Sequence, residues 1–421
     1  MQVFIFIFYL FLFIWFFKVF GIENNTGLSF NTIAAVFILK ALAGCLNLYI
    51  HNLEYLTNDV FFYYGQTKIY LAVLSTNPGL FFKEWLFNWG DITHHLNFFS
   101  RGNMAYWSDL GTLVHTKYMI LASIFTLGSE YANVVFYNVI FFIGQLLLYK
   151  CFYQLQPEKK YLFLISIFLV PSVIFWCSGI HKDGWVLAAL GGICFYTLRL
   201  SRQQQWKDFM LLILCFILLL VLRYFYFLCL FPVYVIWLAS LKIPRPLRVF
   251  MIGSIVMMGL IIALHLFFPG IDPLQIVVNK QIEYFKLKGY SDIHTPTLTN
   301  DLMSFVKHFP IALYHAFFIP VLKFTDPLKY IAAALDSLLI VVALFLSVIH
   351  IRRKYLVEAF PLFCLFFSML LLLFMSYTIP NAGALVRYKS VPTALLLPAI
   401  IAMSEIHWLN LNKMKGWLKR P

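Results

Sequence analysis

Charge is scarce in this chain. Of its 421 residues, 12% are Asp, Glu, Lys or Arg, about half the share of a soluble domain, and a water-soluble globular fold is excluded. The 7 cysteines lie mostly inside apolar runs, among them Cys215, Cys229 and Cys364, and no C-x-x-C spacing occurs. A disulfide framework is therefore not expected, and core packing is the role assigned to them. There is no P-loop and no G-x-G-x-x-G, and no internal repeat of the kind an alternating-access transporter carries. Residues 1–20 have neither a basic start nor an A-x-A-like cleavage site, so they read as a first helix rather than a secretory leader.

What is present is apolar surface. Hydrophobic residues make up 62% of the chain and aromatics 19%, with a mean hydropathy of +0.82. An all-α, polytopic transmembrane bundle follows, treated as one transmembrane domain over 1–421. At about 20 apolar residues per crossing, about eleven spans are expected, near 2–20, 31–50, 132–150, 161–177, 184–200, 208–222, 224–241, 248–268, 329–350, 357–377 and 390–407. The net charge of +14 points to cytoplasmic loops rather than to nucleic acid. With alternating spans, Lys150, Lys159 and Lys160, then Arg199, Arg202 and Lys207, then Lys242, Arg245 and Arg248, then Arg352, Arg353 and Lys354, and finally Lys413, Lys415, Lys419 and Arg420 share one side. That places the N-terminus outside and the C-terminus in the cytoplasm.

In this frame the inner loops are short and the outer face carries the large segments, 51–131 and 269–328. In the first, Phe81 with Trp85 and Phe82 with Leu86 are i, i+4 pairs, the pattern of a helix lying in the membrane interface. The stretch 112–128 is apolar enough to pass for a span. It reads as a juxtamembrane helix, since a span there would put Lys159, Lys160, Arg352 and Arg353 outside.

Four outer-face elements carry the chemistry. Asp59 follows the second span, as a helix cap or as a general base at the membrane surface, with Tyr63 and Tyr64 behind it. His181, Lys182 and Asp183 sit between Gly179 and Gly184, where a span breaks directly into ionisable residues that are costly at membrane depth. Arg223 stands between two apolar runs. Arg387 and Lys389 precede the last span and break the positive-inside pattern. Arg223, Arg387 and Lys182 form a candidate site for a lipid-linked phosphate; pairing with headgroups, or with Asp59 and Asp183, is the alternative. Tyr63, Tyr64, Tyr106 and Trp107 are candidates to stack on sugar rings. Asp91, His94 and His95 have the composition of a metal site without an i, i+4 His pair, so no metal ligand is assigned and a divalent cation stays a minor option.

This order of parts resembles the GT-C-type glycosyltransferases, polytopic enzymes that take sugar from a polyprenyl-phosphate carrier and bear an acid in a first outer loop of juxtamembrane helices. Asp59 matches the position of the catalytic acid and Asp183 that of a second outer-loop acid. An extra N-terminal helix, and Asn58 where a second acid often stands, depart from the pattern. The resemblance implies a polyprenyl-phosphate-linked sugar donor, a glycan, lipid or protein acceptor, no organic cofactor, and transfer at the outer face. His181, Lys182, Arg223, Arg387, Lys389, Tyr63 and Tyr64 would then bind substrate. An O-antigen-polymerase-like or ligase-like enzyme is the alternative, on the strength of 269–328 with Lys280, Lys286, Lys288, His294 and Lys307; a transporter or flippase ranks third. Frequent Phe, Ile, Asn and Lys suggest an AT-rich bacterial genome, and a bacterial plasma membrane is the placement expected.

Overall fold

Apolar runs uninterrupted by turn residues become long helices. The computed structural model describes residues 2–54, 59–87, 105–286, 291–321, 328–351, 356 and 358–405. Among these residues the regular elements are all helical, and pairing of extended backbone is limited to two isolated bridges, Asp292 with Asn381 and Ile351 with Ser404. The helices are α1 (Gln2–Val19), α2 (Phe30–Glu54), α3 (Asp59–Thr76), α4 (Pro78–Phe87), α5 (Ala105–Thr126), α6 (Glu130–Leu155), α7 (Lys160–Leu164), α8 (Pro171–Trp176) and α9 (Lys182–Arg202). They continue with α10 (Trp206–Leu222), α11 (Tyr224–Ser240), α12 (Pro246–Phe267), α13 (Pro273–Phe285), α14 (Leu302–Phe318), α15 (Leu328–Ile349), α16 (Ala359–Thr378) and α17 (Ala382–Met403).

Among the described residues, 8 helices are long and apolar enough to cross a membrane: α1, α2, α6, α9, α12, α15, α16 and α17. The chain is a multi-pass membrane protein. The two least apolar helices of this set, α9 and α17, are among its most buried. The very apolar α12 has 6% of its candidate span buried, whereas α17, with Lys, Ser and Pro in its middle, has 78% buried. Polar atoms in hydrocarbon need protein partners, so such a helix belongs inside.

Three expected spans take another form. The runs near 208–222 and 224–241 become α10 and α11, 17 residues each, parted by Arg223 in a non-helical conformation. The run 161–177 is broken, with α7 passing into a π segment at Ile165–Leu169, Val170 extended and α8 starting at Pro171. Proline lacks the N–H that a continuing helix needs and disfavours a helical residue before it. The last helix begins at Ala382, eight residues before the expected start, because Asn381 accepts from the Ala384 N–H at 3.0 Å and caps it there.

The chain divides into two compact units, one of residues up to Cys151 plus Ile174–Phe227, the other of Phe152–Val173 plus Leu228 onward. In the first, α3, α4 and α5 pack round Tyr70, Phe81 and Ile120, with Trp85 against that core. Trp85 and Lys117 exchange side-chain bonds to each other's carbonyl, at 3.2 and 2.6 Å. Helices α3, α4 and α5 thus form one packed layer, and Trp85 faces protein. Helices α6 and α9 touch through small residues: a Cβ on Gly144 would lie 2.2 Å from Ala188 Cα, and one on Gly191 would lie 2.0 Å from Gly144 O.

In the second unit, Gln281 of α13 pins an extended stretch. Its Nε2 donates to Pro296 O and Tyr377 O at 3.0 and 2.7 Å, and its Oε1 accepts from the Leu298 N–H at 2.8 Å. Asp272 caps α13. Burial works against the Asp272 charge, yet bonds from His265, Asn300 and the Leu274 and Gln275 backbone hold its carboxyl below the usual range.

Candidate functional site

The clearest polar cluster of the first unit is built on one stripe of α2. Lys40, Gly44, Asn47 and His51 recur at i, i+4, i+7 and i+11, one face of a helix, and that face meets the turn between α8 and α9. Lys40 Nζ donates to Cys177 O at 3.1 Å and to Ser178 Oγ at 2.8 Å. A Cβ on Gly44 would lie 2.3 Å from Ser178 O, so only glycine admits the turn here. From α6, Asn138 Nδ2 donates to that same Ser178 carbonyl at 2.7 Å. His181 bonds Asn47 Oδ1 through Nε2 at 2.9 Å.

Helix α9 starts directly from this turn. Lys182 donates to Thr112 Oγ1 of α5 at 2.6 Å. Asp183, with no exposed surface, faces the Arg223 guanidinium at 3.7 Å. The carboxylate sits in the first turn of α9 and the guanidinium just past the last turn of α10, the ends where the helix dipoles favour each charge. Gly111 of α5 lies against the end of α10, where a Cβ would be 2.9 Å from Leu222 O. The element His181, Lys182 and Asp183 is thus joined to Arg223 through the Asp183 ion pair, the pairing that the sequence offers as the alternative to a phosphate site.

Tyr63 and Tyr64 point into the first unit and are 4% and 5% exposed. Tyr64 donates to Glu130 O at 3.0 Å, and burial, with the Glu130 charge behind it, pushes its phenol well above the ordinary value. The Tyr63 ring packs on buried His115 at 4.5 Å. Asp59 is the first residue of α3, but its side chain lies outside the described residues, as do the side chains of Tyr106 and Trp107 and the whole of Asp91, His94 and His95.

Arg387 and Lys389 belong to the second unit and to the second turn of α17 rather than to a loop before it. Lys389 is buried and donates to Ile319 O, just past α14, at 2.9 Å. Asp336 of α15 is buried too and accepts from the Ser172 N–H at 3.3 Å. Arg387 is half-buried, its guanidinium 5.8 Å from the Tyr388 ring centroid.

Residues that the sequence reading passed over are Lys40, Asn47, His51, Asn138 and Asp336. The signal for the first three was available, as three polar residues and a glycine on one stripe of an otherwise apolar span. Among the described residues, no three His, Cys, Asp or Glu side chains gather as a metal ion would require. No family model, no curated protein and no solved structure matches this chain.

Proposed function

We propose that the protein is a membrane glycosyltransferase of GT-C type, transferring a sugar from a polyprenyl-phosphate carrier to a glycan, lipid or protein acceptor at the outer face of a bacterial plasma membrane. One observation carries the reading. A chain almost bare of charge gathers His181, Lys182, Asp183 and Arg223 into a single cluster with Asn47 and His51, on the helix that leads to Asp59. Ionisable groups at membrane depth are costly and mark function by default. In this reading Asp59 takes the acceptor proton, and cations stabilise the departing lipid phosphate. About eleven crossings, with the N-terminus outside, complete the proposed topology.

The polymerase-like or ligase-like reading draws support from Gln281, which ties Leu298 and Tyr377 of α16 together in the second large segment. A longer lipid-diphosphate glycan would use such a built surface.

Proteoliposomes test both. Labelled sugar supplied on polyprenyl phosphate is expected to reach an acceptor with the native chain, to fall by at least a hundredfold with Asp59→Asn, and to weaken with Arg387→Ala. Transfer that survives both substitutions in folded protein removes the site assignment. Turnover of lipid-diphosphate oligosaccharide alone favours the polymerase.

A further inference from the structure

A buried carboxylate orients a histidine at the end of the least buried candidate span. Helix α12 has 6% of that span enclosed by protein, and His265 sits in its last turn. His265 Nδ1 lies 2.9 Å from Asp272 Oδ2, and 4% of the Asp272 side chain and 16% of the His265 side chain are exposed. The carboxylate is fixed from other sides as well: Asn300 Nδ2 donates to Oδ2 at 2.8 Å and the Leu274 N–H to Oδ1 at 2.9 Å. Burial opposes the charge on Asp272, but these bonds outweigh it and keep the carboxyl ionised near neutral pH. A carboxylate only accepts, so Nδ1–H donates. Nε2, on the partly exposed edge of the ring, is then the acceptor of the neutral imidazole.

Position decides what can approach that nitrogen. The 22 residues of α12 extend about 33 Å, against a hydrocarbon core of about 30 Å, so the last turn stands at headgroup level. Around it Leu266, Phe267, Phe268 and Ile271 are 57% to 73% exposed, apolar surface that acyl chains cover in a bilayer. A ligand here meets an acceptor nitrogen backed by a carboxylate, a pair with one net negative charge, beside an apolar floor. Phosphate oxygens would bring acceptor against acceptor, whereas a primary ammonium brings N–H donors and the opposite charge. We infer that His265 and Asp272 form a binding site for a lipid with a primary-ammonium headgroup, of the phosphatidylethanolamine kind, whose N–H donates to His265 Nε2 while its chains lie on Phe267, Phe268 and Ile271. Asp272 is the positioning residue of this site, since it fixes the ring through Nδ1. No bond is made or broken, and the site is independent of the proposed sugar transfer.

Native mass spectrometry of the full chain in detergent tests the site, with phosphatidylethanolamine, phosphatidylcholine and phosphatidylglycerol of one acyl composition offered in equal amounts. Phosphatidylcholine has the same charge but no N–H on its nitrogen. The native chain should therefore retain phosphatidylethanolamine about tenfold better, the weight of one hydrogen bond to a charged group. The preference should vanish in His265→Phe, which keeps a ring without an acceptor, and fall in Asp272→Asn, which keeps a residue able to cap α13. Equal retention of the two lipids by the native chain, a preference for phosphatidylglycerol, or a preference that persists in folded His265→Phe overturns the inference. Where His265→Phe does not fold, the native chain still decides, in nanodiscs with ring-nitrogen-labelled histidine and the signal assigned by its loss in His265→Gln. The His265 Nε2 signal should be that of an unprotonated nitrogen and should shift when phosphatidylethanolamine replaces phosphatidylcholine. A protonated or unmoved Nε2 overturns the inference.

Discussion

A buried lysine must give its charge somewhere to go, and three lysines here find the same answer. Lys40 donates to carbonyl and hydroxyl oxygens just past α8, Lys389 to Ile319 O just past α14, and Lys159, 2% exposed, to the carbonyls of Ile401 and Ser404 at the end of α17. The last carbonyls of a helix lack intrahelical partners and carry the negative end of its dipole. Lys159→Met should therefore destabilise the protein by about 1–3 kcal/mol, the cost of stranding such acceptors, read as a lower melting temperature in detergent. Unchanged melting would show that water replaces the ammonium. The Asp183 and Arg223 pair follows different arithmetic, because breaking a buried ion pair from one side costs about 3–5 kcal/mol. Asp183→Leu and Arg223→Met should each lower stability by that order, and the double variant should recover most of the loss, as a double-mutant cycle would show. Counting cations from sequence places Lys159 in water on the cytoplasmic side; only the fold reveals that its ammonium is spent on a helix end. Lys40 escaped notice because a single cation barely alters the apolarity of 31–50.

Helix packing shows where sequence patterns were readable and where they were not. The helical layer after α2 was legible from the i, i+4 aromatic pairs around Phe81 and Trp85, while the face those rings seek was not, since protein and lipid reward apolar surface alike. The break in 161–177 was legible at Pro171 alone; the π segment preceding it leaves no composition signal. The contact of α6 with α9 rests on Gly144, Ala188 and Gly191, small residues that let two backbones approach. Gly144→Leu has no space to enter and is expected to abolish recovery of folded protein in size-exclusion chromatography. Gly259→Ala on α12, with nothing within 4 Å of its would-be Cβ, should leave recovery unchanged. If both variants behave alike, close approach is not what holds α6 to α9. On α14, burial holds His315 below the ordinary imidazole value, His294 and Lys389 add to that, and a bond to the Ser376 backbone opposes it. A depressed folded value means that the unfolded chain takes up the proton first. The contribution of His315 to stability is thus complete above about pH 6.5, the unperturbed value, and is lost as pH falls below it. Thermal melts between pH 7.5 and 5.5 should show this decline, with a shallower slope in His315→Gln.

For the molecule as a whole, composition alone establishes a multi-pass membrane protein, and the number of crossings is where length and charge have to be weighed together. Helices α10 and α11 are 17 residues each, about 25 Å at 1.5 Å per residue, slightly short of a hydrocarbon core of about 30 Å. Read as one rod they would be about 50 Å long, too long for a single crossing. Cations stand at both far ends, Arg199, Arg202 and Lys207 on one side and Lys242, Arg245 and Arg248 on the other, and Arg223 is alone between them. In the proposed topology, two short crossings with a turn at Arg223 would put both basic ends in the cytoplasm, as the positive-inside rule favours, with the bilayer thinning or flanking side chains snorkelling to make up the length. Exposed positions in the two connections, Gln204→Cys and Ile243→Cys in a background with the 7 native cysteines replaced, should then react with a membrane-impermeant maleimide only after the cytoplasmic side is opened. Labelling of the two positions from opposite sides would mean that α10 and α11 together make one crossing, and would overturn the proposed topology.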